Sequence, residues 1–198
     1  VRVLVAVFLL FLIGTRFGGI AQPSGKEVRF ARQVGLRGSM STERDGWDVD
    51  SYVIDITPDF IKRFISGRTE ITFNVIKSFM VMQIDLQEPL EILNITWKKK
   101  NLSYRREGNV YHVQFPELLL AGGTESISIN FGGYPRVAVN PPWDGGWIFK
   151  VDKLGRPWMS AACQGLGASV WYPCKDHQSD EPDHGATLNI TVPDTLMA

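Results

Sequence analysis

The 198-residue chain holds three histidines, and a zinc hydrolase would want two of them in H-E-x-x-H on a helix. That spacing puts two imidazoles on one face with the glutamate as base. His112 precedes Val113, His177 precedes Gln178 and His184 precedes Gly185, so the pattern is absent. His112 falls on the more polar side of an alternating segment, which reads as a surface position. His177 and His184 lie among Asp176, Asp180, Glu181 and Asp183. That set has metal-ligand chemistry, but its plainer reading is an acidic surface turn with capping carboxylates. Asp144 and Asp180 have the chemistry of a glycosidase pair, yet nothing in the sequence selects them. Gly165-Leu166-Gly167-Ala168-Ser169 misplaces its serine for a nucleophile elbow and lacks the spacing of a dinucleotide loop. Cys163 has no evident histidine partner. No catalytic residue and no metal ligand is assigned on residue type and spacing.

Aromatic residues offer a different chemistry. Trp143, Trp147, Trp158 and Trp171 would suit a carbohydrate-binding face if they lined one exposed surface; otherwise they pack core and loops. Lys+Arg and Asp+Glu balance at 21 each, which argues against a nucleic-acid binder. Only residues 26–44 lean basic, with Lys26, Arg29, Arg32, Arg37 and Arg44 against Glu27 and Glu43. A solvated leader fits that stretch better than a phosphate- or lipid-binding arm.

The elements that must position these residues are strands. Tyr52, Ile54 and Ile56 alternate with polar residues, as do Ile71, Phe73 and Val75. Met80, Met82, Ile84 and Leu86 share a face, and Leu93, Ile95 and Trp97 share another before a turn at Lys98-Lys99-Lys100-Asn101. Tyr111, Val113 and Phe115, then Ile127, Ile129 and Phe131, repeat the period of two. Residues 132–185 are rich in Gly, Pro and Trp, with a hairpin predicted around Asp152-Lys153-Leu154-Gly155. A last strand runs from Ala186 to Val192. No stretch sustains a helical period. The fold class is all-β, an antiparallel β-sandwich or saddle over residues 47–198.

Residues 1–21 stand apart from this domain. The run Val3 to Ile13 would span about 16 Å as a helix, short of a bilayer core of roughly 30 Å. Gly19-Ile20-Ala21 then supplies small residues before Gln22, so the segment reads as a signal peptide, with a retained anchor as the other reading. A leader follows over 22–46. Export implies a periplasmic, extracellular or outer-surface protein with no membrane association after cleavage. It also permits a disulfide, and Cys163 and Cys174 either pair or stay as two thiols.

Two blocks carry a resemblance: Trp143-Asp144-Gly145-Gly146, and Ala162 through His177 with Ser179-Asp180-Glu181-Pro182-Asp183. Leu36-Arg37-Gly38-Ser39, Glu43-Arg44, Phe64-Ile65-Ser66-Gly67 and Met82-Gln83-Ile84-Asp85-Leu86 agree with it. The sequence resembles the N-terminal domain of the gluzincin aminopeptidases, related to aminopeptidase N and leukotriene hydrolase, closest to exported Bacteroidetes-like members. The resemblance implies a β-saddle packed on a downstream zinc catalytic domain that removes N-terminal residues from peptides. The family's G-x-M-E-N and H-E-x-x-H lie outside this sequence, so zinc belongs to the full-length parent and this segment alone is expected to be inactive. It also implies a substrate-binding role for Gln164, with Gly165 and Leu166 beside it, at the substrate's amino terminus. Asp180-Glu181-Pro182 is read as a structural turn. From a different class, the alternative is a non-catalytic β module binding carbohydrate or protein; between them stands a degenerate family member without zinc.

Overall fold

The computed structural model describes residues 25–198. The expected signal peptide, residues 1–21, lies outside them. Two helices come first, α1 (Gly25–Gly38) and the single turn α2 (Thr42–Asp45). Then come β1 (Trp47–Asp59), β2 (Phe64–Val75), β3 (Phe79–Asp85), β4 (Glu91–Trp97), β5 (Lys100–Asn101) and β6 (Ser103–Glu107). The rest are β7 (Val110–Leu119), β8 (Thr124–Gly133), β9 (Gly146–Val151), β10 (Pro157–Ala162) and β11 (Ala186–Ile190).

The strands form a six-stranded sheet ordered β11-β1-β2-β8-β4-β5, a three-stranded sheet β3-β7-β6 and the hairpin β9-β10. Pairing is antiparallel except that β11 runs parallel to β1. The long connection through residues 134–185 lets β11 arrive beside β1 in the same direction, which no tight hairpin allows.

The period of two becomes the core. Ile54, Ile56, Ile71, Phe73, Ile127, Ile129 and Phe131 of the large sheet are buried, as are Met82, Ile84, Val113 and Phe115 of the small one. Aromatic contacts join the two layers: Trp97 meets Phe115 edge-on at 5.6 Å and Phe73 meets Phe79 at 6.3 Å between ring centroids. A sandwich results, because each sheet has one apolar face and the two faces cover each other.

Two expected inward residues face solvent instead. Leu93 is 64% exposed and Met80 is 40% exposed, while their neighbours Ile92 and Phe79 are buried. The register of β4 on β8 shifts between Ile92 and Asn94, and that of β3 on β7 between Phe79 and Val81. A bulge adds one residue to a strand, so alternation counted across it lands on the wrong face.

The leader departs more from the sequence reading, because much of it is helix α1. The end of this helix is held by distant side chains. Gln83 Nε2 donates to the Leu36 carbonyl at 3.0 Å, and an Arg44 Nη1–H donates to the Arg37 and Ser39 carbonyls. These are the carbonyls a helix C-terminus leaves without partners. Farther back, Gln33 accepts from the Asn109 N–H at 3.1 Å, and Arg32 pairs with Glu107. The helix is thereby strapped across the small sheet.

Candidate functional site

The turn after β10 presents Gln164. The Leu166 and Gly167 N–H groups both donate to the Cys163 carbonyl, at 3.0 and 2.9 Å, folding residues 163–167 tightly. Gly165 and Gly167 sit at φ of 71° and 79°, in the left-handed region where a Cβ is strained. At Gly167 a Cβ would also stand 2.3 Å from the Asp176 carboxylate, so glycine is required for close approach as well. Gln164 and Gly165 are exposed, and Leu166 is half-buried. Among the described residues no hydrogen bond engages the Gln164 amide, so its carbonyl and NH2 are available at the surface.

Two further carbonyls of the turn are taken from outside. Gln87 Nε2 donates to the Leu166 carbonyl at 2.6 Å, and Arg37 Nη2, from α1, donates to the Gly165 carbonyl at 3.3 Å. The Leu166 side chain lies over Gly145, where a Cβ would come within 2.6 Å of Leu166 Cδ1. Trp143-Asp144-Gly145-Gly146 and the Cys163 block, far apart in sequence, therefore meet at Leu166.

Behind the turn is a polar layer under the leader. Gln83 and Asp85 of β3, with Gln87 just beyond, occupy the side opposite Met82, Ile84 and Leu86, and all three are buried. Asp85 pairs with Arg44, and both side chains are 0% exposed. Gln83 Nε2 and the Asp176 N–H also donate to the Asp85 carboxylate, at 3.1 and 2.9 Å. Burial pushes the Asp85 carboxyl above the usual range, and Arg44 pulls it back. Sequence reading missed these residues because a polar Gln-x-Asp-x-Gln face looks like a solvent face. The buried arginine it needs stands about forty residues earlier, in the leader.

The other candidates disperse. His177 Nδ1 is bonded to Ser179 Oγ at 2.7 Å, and His184 Nδ1 to Asp50 Oδ1 at 2.7 Å with the ring largely exposed. No group of three or more His, Cys, Asp or Glu capable of holding a metal occurs among the described residues. His112 is not the surface residue its alternation suggests: its side chain is 14% exposed and Nε2 lies 3.7 Å from Glu107. It sits on the middle strand of the small sheet, opposite Gln83 of β3 and Arg105 of β6. Cys163 and Cys174 are free thiols, and burial pushes both up in pKa, which makes Cys163 a poor nucleophile.

Asp144 serves its own loop, accepting the Val139 and Asn140 N–H groups at 2.6 and 2.7 Å. Those bonds hold its carboxyl below the usual range. Asp180 is tied to buried Lys175 and accepts the Val49 N–H at 3.4 Å, which matches a structural turn. The four tryptophans do not share an exposed face. Trp143 is 77% and Trp158 59% exposed, but Trp147 is buried. Trp147, Trp158 and Trp171 instead line an apolar cavity of about 460 Å³ with Ile56, Leu188 and Ile190.

No protein-family model and no curated protein matches the sequence. Solved structures do match its fold. An M1 zinc metallopeptidase from Deinococcus radiodurans, bound to a Tyr-Ser-Ala substrate, is similar with a TM-score of 0.53 and 19% identity, over 79% of this chain and 34% of its own. A two-domain M1 zinc metallopeptidase bound to L-arginine gives a TM-score of 0.54 at 20% identity, again over 79% and 34%. Leukotriene A4 hydrolase from Saccharomyces cerevisiae gives 0.59 at 13% identity, over 82% of this chain and 28% of its own. The chain thus spans about a third of the length of the structures it matches. Identities this low speak for fold alone, and the fold is that of the all-β N-terminal domain of the M1 zinc metallopeptidases and leukotriene A4 hydrolase.

Proposed function

We propose that this chain is the N-terminal domain of an exported zinc-dependent aminopeptidase, and that Gln164, flanked by Gly165 and Leu166, helps seat the amino terminus of a peptide substrate. The observation that carries this reading is the exposed, uncommitted Gln164 amide on a turn whose neighbouring carbonyls are both held. An exopeptidase cleft has to be closed at one end and lined to bind an ammonium, and a rigid β domain supplies such a wall. The Gln164 carbonyl accepts a hydrogen bond from the ammonium and adds no charge, so charge selection falls to acidic groups of the downstream catalytic domain. When bound in that domain, zinc supplies activation of the attacking water. No residue of this chain is assigned to the metal. The apolar cavity between the β9-β10 hairpin and β11 supports a packing face for the catalytic domain. Export rests on residues 1–21 as a signal peptide.

The test is kinetic, in the full-length protein. Gln164→Ala should raise KM for aminoacyl dye substrates about 10-fold, the loss of one hydrogen bond to a charged group of roughly 1.5 kcal/mol. Gln164→Glu should lower KM. Unchanged KM in both variants removes Gln164 from the substrate site. Zinc-dependent release of amino acids by residues 22–198 alone would overturn the assignment of chemistry to the downstream domain. A full-length sequence without G-x-M-E-N and H-E-x-x-H would favour the non-catalytic binding module or a degenerate relative.

A further inference from the structure

Gln87 does more than occupy a buried position. Its Nε2 makes two bonds, to the Leu166 carbonyl at 2.6 Å and to Ser169 Oγ at 2.9 Å, which uses both of its N–H groups. Its own backbone N–H donates to the Ser169 carbonyl at 2.9 Å. Ser169 in turn donates from Oγ to Asp176 Oδ2 at 2.5 Å. The Asp176 N–H reaches Asp85, and Asp85 is held by Arg44 and Gln83. Those last two residues catch the C-terminal carbonyls of α1, and Arg37 of α1 returns to the Gly165 carbonyl. The hydrogen bonds therefore close a ring: from the turn through β3 to the leader helix and back to the turn.

A ring of this kind fixes the turn backbone from both sides. Gln87 holds the inner side at Leu166 and Arg37 holds the outer side at Gly165. Every carbonyl thus taken stops the peptide units around Gln164 from rotating. The inner tie is the stronger, because it is short and partly buried, whereas the Arg37 bond is long and exposed.

We infer that Gln87, acting with Ser169, is a positioning residue that sets the orientation of Gln164 for the substrate's amino terminus. The inference rests on the reading of Gln164 given above. Gln87 touches no substrate atom; it acts by holding the Leu166 carbonyl two residues along the chain.

The experiment uses the full-length protein with Gln87→Glu, Ser169→Ala, Gln164→Ala and the double variant Gln87→Glu/Gln164→Ala. A glutamate at 87 has nearly the shape of glutamine but cannot donate to the Leu166 carbonyl when ionised. The expected result for Gln87→Glu is at least 10-fold faster amide hydrogen exchange at Leu166 and Gly167. Its KM should rise about 5-fold, and by a larger factor than kcat falls. Ser169→Ala should move both readouts in the same direction by about 2–3-fold, and it decides the matter if Gln87→Glu does not fold. The double variant should have a KM no higher than Gln164→Ala alone, since both act through one contact. A purely structural Gln87 would lower stability and leave KM where it was. Unchanged exchange, or a double variant whose effects multiply, overturns the inference while leaving Gln164 in place. A Gln164→Ala protein with normal KM overturns the underlying reading instead.

Discussion

On the role proposed for it, Gln164 would meet the substrate's ammonium with an amide and not with a charge. The Arg37 guanidinium lies one residue away on the Gly165 carbonyl, and Arg44 is buried behind the turn. An amide binds with orientation instead of charge, so its worth depends on how firmly the turn is held. Asp144 works on the same scale in the neighbouring loop. Its depressed pKa means the folded loop prefers the ionised carboxylate. The resulting stabilisation is present above the ordinary aspartate pKa and is lost as pH falls through the lowered folded value. Protection of the Val139 and Asn140 amides, taken relative to intrinsic exchange at each pH, should therefore hold at neutral pH and fall only below the ordinary aspartate range. Asp144→Asn should abolish that pH dependence, and a dependence that survives the substitution rules Asp144 out as its source.

At the scale of elements, the site depends on segments that fold onto strands without being strands. Residues 163–176 cross the outer side of β3 and are bridged to it through Asp85 and Cys174, whose backbones exchange two hydrogen bonds at 2.9 and 3.1 Å. That crossing is possible only because Gly167 lets the chain pass against Asp176. Gly167→Ala should destabilise the domain by about 1–3 kcal/mol, since it adds strain at positive φ and a clash with a held carboxylate. Urea denaturation measures this directly; a stability change below about 0.3 kcal/mol, within the range of neutral surface changes, would show that the turn relaxes freely.

For the whole molecule, the buried Arg44–Asp85 pair joins the leader to the sandwich, so the N-terminal segment is part of the folded unit. Removing one partner strands the other charge in a dry site. Arg44→Met should cost about 3–5 kcal/mol, and Arg44→Met with Asp85→Leu should cost markedly less, because an apolar pair leaves no uncompensated charge. Equal losses in the single and double variants would mean that packing, not charge, governs the site. The aromatic edges between the two sheets form a separate core, with Phe73, Phe115 and Phe131 all fully buried. The leader and the turn are laid over its outer face.

Alternation alone reveals most of this sandwich, because burying one face of a strand imposes a period of two on the sequence. Tyr52 to Ile56, Ile71 to Val75 and Ile127 to Phe131 are legible for that reason. It fails locally at Leu93 and Met80, where bulges reset the phase and no single residue marks them. It also does not extend to α1, whose C-terminal end is held by Gln83 and Arg44. The motif around Cys163 singles out Gln164, but not what holds it. Whether Gln83, Asp85 and Gln87 face water or a second layer is decided only when the leader and residues 163–176 fold over them. Hydrogen bonds between groups scores of residues apart leave no periodic trace, so that layer belongs to the tertiary structure alone.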